Sequence, residues 1–187
     1  MSPSPCLPKD AKNGYYFITL TVVDWLDVFT KPPYFELLKN ALIHCIQNKG
    51  LVLYEYVFMA NHIHLIVGTT GKNSLDSIVR DFKSFTTHEI KKLLLNDNRK
   101  YLPVLLGISP KLKRENKFQL WQRGNYPEEI VSSNFLETKA QYIWQNPVRK
   151  GYVAKPEEWL HSSAKQRLLE LRLGHPEVVL PVADWEL

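Results

Sequence analysis

Residues 56–67 of this 187-residue chain read YVFMANHIHLIV, an apolar run that is interrupted only by Asn61 and two histidines. Because side chains alternate between the two faces of a strand, His62 and His64 project from one face and their apolar neighbours from the other. Two imidazoles held side by side on a strand can supply half of the ligands of a divalent metal ion. The stretch therefore predicts a strand that carries a candidate metal site.

The sequence around this strand alternates between strand and helix patterns. Runs rich in aromatic and β-branched residues predict strands, whereas apolar residues spaced three and four apart predict helices. In chain order we predict a strand at 15–23, a helix at 34–48, strands at 51–58 and 62–68, a long helix capped by Ser74, a strand at 118–122 and a helix at about 134–146. This order is close to βαββαβ with one more helix. It predicts a ferredoxin-like (RRM-like) α+β fold, in which an antiparallel sheet carries helices on one face.

Composition and length indicate one ordinary globular domain over residues 1–187, with 44% hydrophobic and 23% charged residues. We expect a loosely ordered lead-in at 1–13 and a C-terminal extension at about 165–187. The net charge of +5 favours a polyanionic partner. The two cysteines form no disulfide framework, no signal-peptide pattern begins the sequence, and no stretch approaches the ~20 apolar residues that cross a bilayer. These features predict a cytoplasmic protein.

The helix predicted at 134–146 can complete the metal site. Tyr142 and Asn146 are four residues apart, so they share one flank of this helix beside its apolar face. If the helix packs on the histidine face of the sheet, Asn146 offers a hard oxygen ligand suited to Mg²⁺ or Mn²⁺, and Tyr142 offers a nucleophile about one turn away. The same residues also fit ordinary roles: packing for the histidines and the tyrosine, and helix termination for an asparagine that precedes Pro147.

Basic side chains recur outside this site. On the long helix that follows Ser74 they alternate with short hydroxyls, which fits either a solvated face or contacts to phosphate oxygens. A second basic cluster lies in a polar, proline-interrupted segment at 96–117, where DNA could pass. The candidate DNA contacts are Arg80, Lys83, Ser84, Thr86, Lys91, Lys111, Lys113, Arg114, Arg123, Lys139 and Arg149.

Two short motifs carry a family resemblance. Residues 59–65, MANHIHL, resemble the M-P-N-H-x-H-L motif of single-tyrosine HUH (IS200-like) transposases, in which a hydrophobic residue separates two histidines. Residues 142–153, YIWQNPVRKGYV, resemble the Y-I-x-x-N-P-V-R-A-G-L-V segment of the REP-associated branch, where REP means repetitive extragenic palindrome. Shorter matches in the same order extend the resemblance over about residues 14–165; they lie at 82–86, 120–123 and 159–163.

The resemblance implies an HUH endonuclease fold and a sequence-specific endonuclease and strand transferase that acts on single-stranded, hairpin-containing DNA. It assigns metal binding to His62, His64 and Asn146, with Mg²⁺ or Mn²⁺ as the cofactor. It assigns the nucleophile to Tyr142, which would form a 5′-phosphotyrosine and release a 3′-OH. The REP-associated branch implies a monomer that binds REP-like hairpins, and a dimer that exchanges the tyrosine helix is the alternative.

The sequence departs from the family pattern at two positions. Ala60 replaces the usual proline, which alters the approach to the strand rather than the chemistry. Glu129 stands where many members have a histidine, so any DNA contact of that histidine is lost or altered. Tyr126 is a rival nucleophile, but it lies beside Pro127 with no ligand four residues later.

Two other functions remain compatible with the sequence. One is a nucleic-acid-binding module without catalysis, in which the histidines serve folding. The other is a metal-dependent phosphohydrolase that uses water as the nucleophile. The group that accepts the phenolic proton also stays open among the metal, Lys139 and water.

Overall fold

The computed structural model describes residues 14–97, 118–124, 127–173 and 180–184. Several predictions fall outside these described residues: the lead-in at 1–13, the basic cluster of Lys111, Lys113 and Arg114, the rival Tyr126 and part of the C-terminal extension.

The described residues form four strands and four α-helices. In chain order these are β1 (Tyr15–Thr21), α1 (Pro32–His44), β2 (Leu51–Phe58), β3 (His62–Thr69), α2 (Leu75–Asn96), β4 (Glu128–Ile130), α3 (Ser133–Arg149) and α4 (Ala164–Leu173). Short 3₁₀ helices lie at Val23–Trp25 and Pro156–Glu158, and a π-helical turn at Cys45–Lys49 follows α1. No helix among the described residues is both long enough and apolar enough to span a membrane.

The strands pair antiparallel in the order β2-β3-β1-β4. Strand β3, which carries both histidines, lies between β2 and β1, and all eight of its residues are buried. The predicted ferredoxin-like α+β fold is confirmed. The sheet thus provides a rigid central strand on which two imidazoles are fixed.

The fourth strand lies at a different place from the one predicted. Residues 118–122 form no strand, because Trp121 makes only an isolated bridge to Val22, just beyond the end of β1. The chain turns into the 3₁₀ helix at Val23–Trp25 at this point, so no extended partner remains for a ladder. The edge strand is β4 instead, which pairs with the opposite end of β1.

Helices lie on both faces of the sheet, whereas the sequence predicted them on one face only. Helices α1 and α2 pack on the face that presents Ile18 and Leu65, where the main core forms. Helix α3 packs on the other face, where Leu136, Ala140 and Ile143 join a smaller apolar cluster with residues of β1, β2 and β3. Because side chains alternate along β3, its two histidines lie on the face that α3 covers.

Helix α3 begins as the sequence predicts but extends further. The Ser132 side chain accepts a hydrogen bond from the Phe135 amide at 3.3 Å and caps the first turn. The helix continues through Pro147 to Arg149, three residues beyond the predicted end. The amide of residue 150 still donates to the Asn146 carbonyl, and the chain leaves the helix only at Gly151, which has a φ of 71°.

Candidate active site

The structure brings His62, His64, Tyr142 and Asn146 together between β3 and α3. The two imidazole centroids lie 4.8 Å apart, and the His64 ring meets the Tyr142 ring edge to face at 5.2 Å. Both histidines and Asn146 are buried, whereas Tyr142 remains 37% exposed. The predicted packing of this helix across the histidine face therefore occurs within one chain, and the chemical roles of the four residues stay predictions.

Hydrogen bonds on the far side of each imidazole fix its orientation. The Asn61 amide nitrogen donates to the Trp25 carbonyl at 3.1 Å and to the Asp27 carboxylate at 2.7 Å, which settles the orientation of that amide. Its oxygen faces His62 Nδ1 at 2.7 Å, so Nδ1 carries the hydrogen and Nε2 keeps its lone pair. His64 Nδ1 lies 2.8 Å from the Thr19 hydroxyl. Such outer contacts are typical of histidines that bind metal ions.

Burial keeps both imidazoles neutral. Burial lowers the pKa of His62 to about 4, and the nearby Lys150 also lowers it, although the Asn146 amide and Asp27 act in the opposite direction. Burial likewise lowers the pKa of His64 to about 3, with further contributions from His62 and Lys139. At neutral pH the pair is therefore uncharged, which is the form that coordinates a metal.

The Asn146 side chain supplies a buried oxygen without a hydrogen-bond partner among the described residues. An unsatisfied buried acceptor costs about 1–3 kcal/mol, so this atom favours a partner. A hard divalent cation is a suitable partner for an amide oxygen. The described residues contain no group of three histidine, cysteine, aspartate or glutamate side chains that could hold a metal. Beside His62 and His64, the Asn146 oxygen is the predicted third protein ligand.

Cationic side chains surround Tyr142 and the histidines. The Arg149 guanidinium lies 5.3 Å from the centre of the Tyr142 ring. Lys139 Nζ lies 4.5 Å from the centre of the Phe17 ring and pairs with the Glu128 carboxylate at 2.5 Å. These groups place positive charge beside the exposed phenol.

The candidate DNA contacts on α2 lie on the other face of the sheet from the histidines. Thr86 is fully buried; its hydroxyl donates to the Phe82 carbonyl and accepts from the Trp121 indole. The prediction that Thr86 contacts DNA was therefore wrong. Its hydroxyl is buried and links α2 to Trp121 through a hydrogen bond. Lys83 Nζ donates to the Gln122 carbonyl at 2.8 Å, and burial lowers its pKa to about 8.

The other α2 candidates and Arg123 stay predictions. Arg80, Ser84, Lys91 and Arg123 are exposed. To reach both these residues and the histidine face, a DNA strand would have to pass around the sheet.

Two residues at this site were not predicted from the sequence: Asn61, which orients His62, and Trp25. Trp25 is 54% exposed, and its ring meets the His62 ring edge to face at 5.5 Å. The available signal was a tryptophan between two aspartates, directly after the strand that pairs with the histidine strand.

The comparisons with known proteins identify the family. A family model described as "Transposase IS200 like" matches residues 11–104, which are 94 of the 187 residues. The fold and the match define a transposase, and the chain belongs to the IS200-like transposase family. The match includes both histidines and ends before α3.

Two solved structures are similar to the chain. The structure of a REP-associated tyrosine transposase bound to a REP hairpin matches with a TM-score of 0.64 and 20% identity, over 92% of this chain and 87% of that one. It shows the same fold. A putative transposase from Deinococcus radiodurans R1 matches with a TM-score of 0.45 and 16% identity, over 69% and 87% of the two chains. No curated protein matches.

Proposed function

We propose that this transposase nicks and rejoins single-stranded DNA beside a hairpin through a 5′-phosphotyrosine at Tyr142, with Mg²⁺ or Mn²⁺ held by His62, His64 and Asn146. One observation carries the proposal. A partly exposed phenol lies beside two neutral imidazoles and a buried amide oxygen without a partner among the described residues. Membership of the IS200-like family supports DNA cleavage in general, and the hairpin bound to the similar solved structure supports this class of substrate.

The phenol of Tyr142 supplies the nucleophile. Its oxygen attacks the scissile phosphorus, the bond from phosphorus to the 3′ oxygen breaks, and that oxygen takes a proton from water and leaves as a 3′-OH. A bound Mg²⁺ or Mn²⁺ would polarise a phosphate oxygen as a Lewis acid. His62 and His64 offer neutral lone pairs for this ion, and their outer hydrogen bonds keep the rings in place.

Two cations near Tyr142, Arg149 and Lys139, have different expected roles. The Arg149 guanidinium over the Tyr142 ring can bind the phosphate and stabilise the developing phenolate. Lys139 is engaged with Glu128, and an ammonium has no lone pair for the phenolic proton, which favours water as the acceptor. Reversal by an incoming 3′-OH restores a phosphodiester without another energy source, as strand transfer requires.

We further propose that the chain belongs to the REP-associated branch and acts as a monomer. The four site residues come from one chain, so a helix exchanged from a second copy is not needed to assemble the site.

The test uses hairpin-containing single-stranded oligonucleotides that carry a label at either end. With Mn²⁺, a 3′-labelled strand should yield a labelled protein adduct that resists denaturation, and a 5′-labelled strand should yield a shorter product with a 3′-OH. EDTA and the variant Tyr142→Phe should abolish both. The control Tyr152→Phe, at another exposed tyrosine, should retain them.

The outcomes separate the alternatives. An adduct formed by Tyr142→Phe would refute the assignment of the nucleophile. Cleavage without an adduct, unchanged in Tyr142→Phe, would indicate a phosphohydrolase that uses water. Binding without metal-dependent cleavage would indicate a module that only binds nucleic acid.

A further inference from the structure

We infer that Trp25 forms a nucleobase-binding subsite, on which a base of the DNA strand beside the cleavage point stacks. The inference rests on the proposed function and specifies how the same site holds its substrate. It starts from the position of the ring. The indole is 54% exposed although it contacts the buried His62 ring edge to face at 5.5 Å. Exposed aromatic faces are the surfaces on which single-stranded DNA stacks its bases.

The turn that presents Trp25 is built in a strained conformation. Asp24 has a φ of 55° and Trp25 a φ of 57°, so two consecutive residues other than glycine occupy the left-handed region. This conformation is unfavourable for a side chain as bulky as tryptophan. Strained residues of this kind cluster at functional sites, where the surrounding structure holds them in place. Glycine or asparagine would tolerate this backbone conformation better, so the backbone geometry alone does not favour a tryptophan.

The same contacts that hold the turn also hold the candidate metal ligand. The Asn61 amide nitrogen donates to the Trp25 carbonyl at 3.1 Å, and its oxygen faces His62 Nδ1 at 2.7 Å. The Val22 amide donates to the Asn61 carbonyl at 2.8 Å. The position of the indole is therefore fixed relative to the metal ligand, as positioning of a base next to the scissile phosphate requires.

The charges around the ring suit a nucleic acid. The Arg149 guanidinium lies 5.3 Å from the centre of the neighbouring Tyr142 ring, and Lys150 follows it in the chain. Two carboxylates also lie in or next to this turn: Asp24 directly precedes Trp25, and Asp27 accepts a hydrogen bond from the Asn61 amide at 2.7 Å. Proteins that bind single-stranded DNA usually combine cations, which contact the DNA backbone, with exposed aromatic rings, on which the bases stack.

The test measures binding rather than cleavage. All variants carry Tyr142→Phe and are assayed in EDTA, so that neither chemistry nor metal affects the result. The probe is a fluorescent hairpin oligonucleotide with unpaired thymidines on both sides, and binding is followed by anisotropy. Trp25→Asn removes the ring and places a residue that tolerates the left-handed region. Trp25→Phe keeps a ring, and Phe85→Asn removes an equally exposed ring, at 53%, from the opposite face of the sheet.

Trp25→Asn should raise the dissociation constant about tenfold, the loss expected for one stacked base. Trp25→Phe should raise it about two- to threefold, and Phe85→Asn should leave it unchanged. The melting temperature of Trp25→Asn should stay the same or rise by about 2–4 °C as strain is relieved. Weaker binding by a protein that is at least as stable cannot be attributed to misfolding.

A scan with abasic nucleotides identifies the base. One abasic position should weaken binding of the Tyr142→Phe protein yet have no further effect on the protein that also carries Trp25→Asn. Unchanged binding by Trp25→Asn, or additive effects at every position, would overturn the inference. If the native protein forms no adduct while these binding results hold, the proposed chemistry fails and the subsite stands. If the adduct forms while Trp25→Asn binds normally, only the subsite is refuted.

Discussion

Replacement of Arg167 by methionine should strongly destabilise the protein, because it removes the cation that neutralises a buried carboxylate. Glu55 on β2 is fully buried, and its Oε1 accepts from Arg167 Nε at 3.0 Å. Its Oε2 accepts from the Trp144 indole at 2.8 Å and from the Ser163 hydroxyl at 2.5 Å. Trp144 lies on α3 between Tyr142 and Asn146, so this network fixes the helix that carries both candidate site residues.

The magnitude follows from the burial of the pair. Removal of one partner of a buried ion pair costs about 3–5 kcal/mol, because the other charge remains uncompensated. The side chain of Arg167 is only 15% exposed, and Arg167 also donates to the Tyr54 carbonyl at 3.3 Å. Methionine retains an apolar side chain and thereby limits the loss of packing. A loss of this size corresponds to a fall in melting temperature of about 6–20 °C for a domain of this length.

Urea and thermal unfolding of three proteins test this expectation: the native chain, Arg167→Met, and Glu55→Gln with Arg167→Met. The double variant should regain part of the lost stability, because the uncompensated charge is gone and the glutamine can still accept from the indole. The reasoning would be refuted by an Arg167→Met protein within about 1 kcal/mol of the native one, which is below the range for a buried pair. A double variant no more stable than the single one would refute it equally.

Substitutions at Lys83, Asn146 and Gly151 probe three separate features. Lys83 has a pKa of about 8 in the folded protein against an ordinary value of 10.5, so between these pH values the unfolded chain binds more protons. The native protein should therefore gain stability relative to Lys83→Met as the pH rises through this window, as measured by urea unfolding with the exposed Lys92→Met as a control. Asn146→Ala should weaken Mn²⁺ binding in calorimetry and Asn146→Asp should strengthen it, because a carboxylate is the better hard ligand; equal affinities would contradict a ligand role. Gly151→Ala should cost about 1 kcal/mol, since φ is 71° while an added Cβ meets nothing within 4 Å, and a neutral effect would contradict the backbone argument.

The sequence predicted those features that depend on local pattern. The alternation along β3 put both histidines on one face, and the four-residue spacing of Tyr142 and Asn146 put both on one flank of α3. Their proximity then required only that α3 pack on that face, which its apolar stripe allows. The motifs added the chemical interpretation, because spacing alone could not distinguish ligands from packing residues.

Features that depend on distant partners could not be predicted in this way. Nothing in the sequence near Glu55 distinguishes it from an ordinary polar residue on a strand. Its ion pair could not be predicted, because Arg167 lies 112 residues further along the chain. The sequence around Thr86 suggested that its hydroxyl contacts phosphate. In the structure the hydroxyl accepts a hydrogen bond from the indole of Trp121, 35 residues away. The left-handed turn at Trp25 is held by the Asn61 side chain, so no local propensity indicates it.

The connections at both ends of α3 favour a monomer over a dimer that exchanges this helix. Before α3 the chain forms β4, which pairs with β1. After α3 it returns to β2, where the Phe58 amide donates to the His161 carbonyl and the Ser163 amide donates to the Tyr56 carbonyl. If α3 alone were exchanged, both connections would have to span two subunits, because the segments before and after α3 are attached to the sheet of their own chain.

We therefore expect a single species with the mass of one chain by light scattering across a wide range of protein concentration. We also expect the initial rate of adduct formation to be first order in protein. A second-order dependence would show that two chains build one site. Mixing Tyr142→Phe with a His62→Ala variant gives an independent check: adduct formation by the mixture would require exchanged helices, whereas separate monomers would both stay inactive.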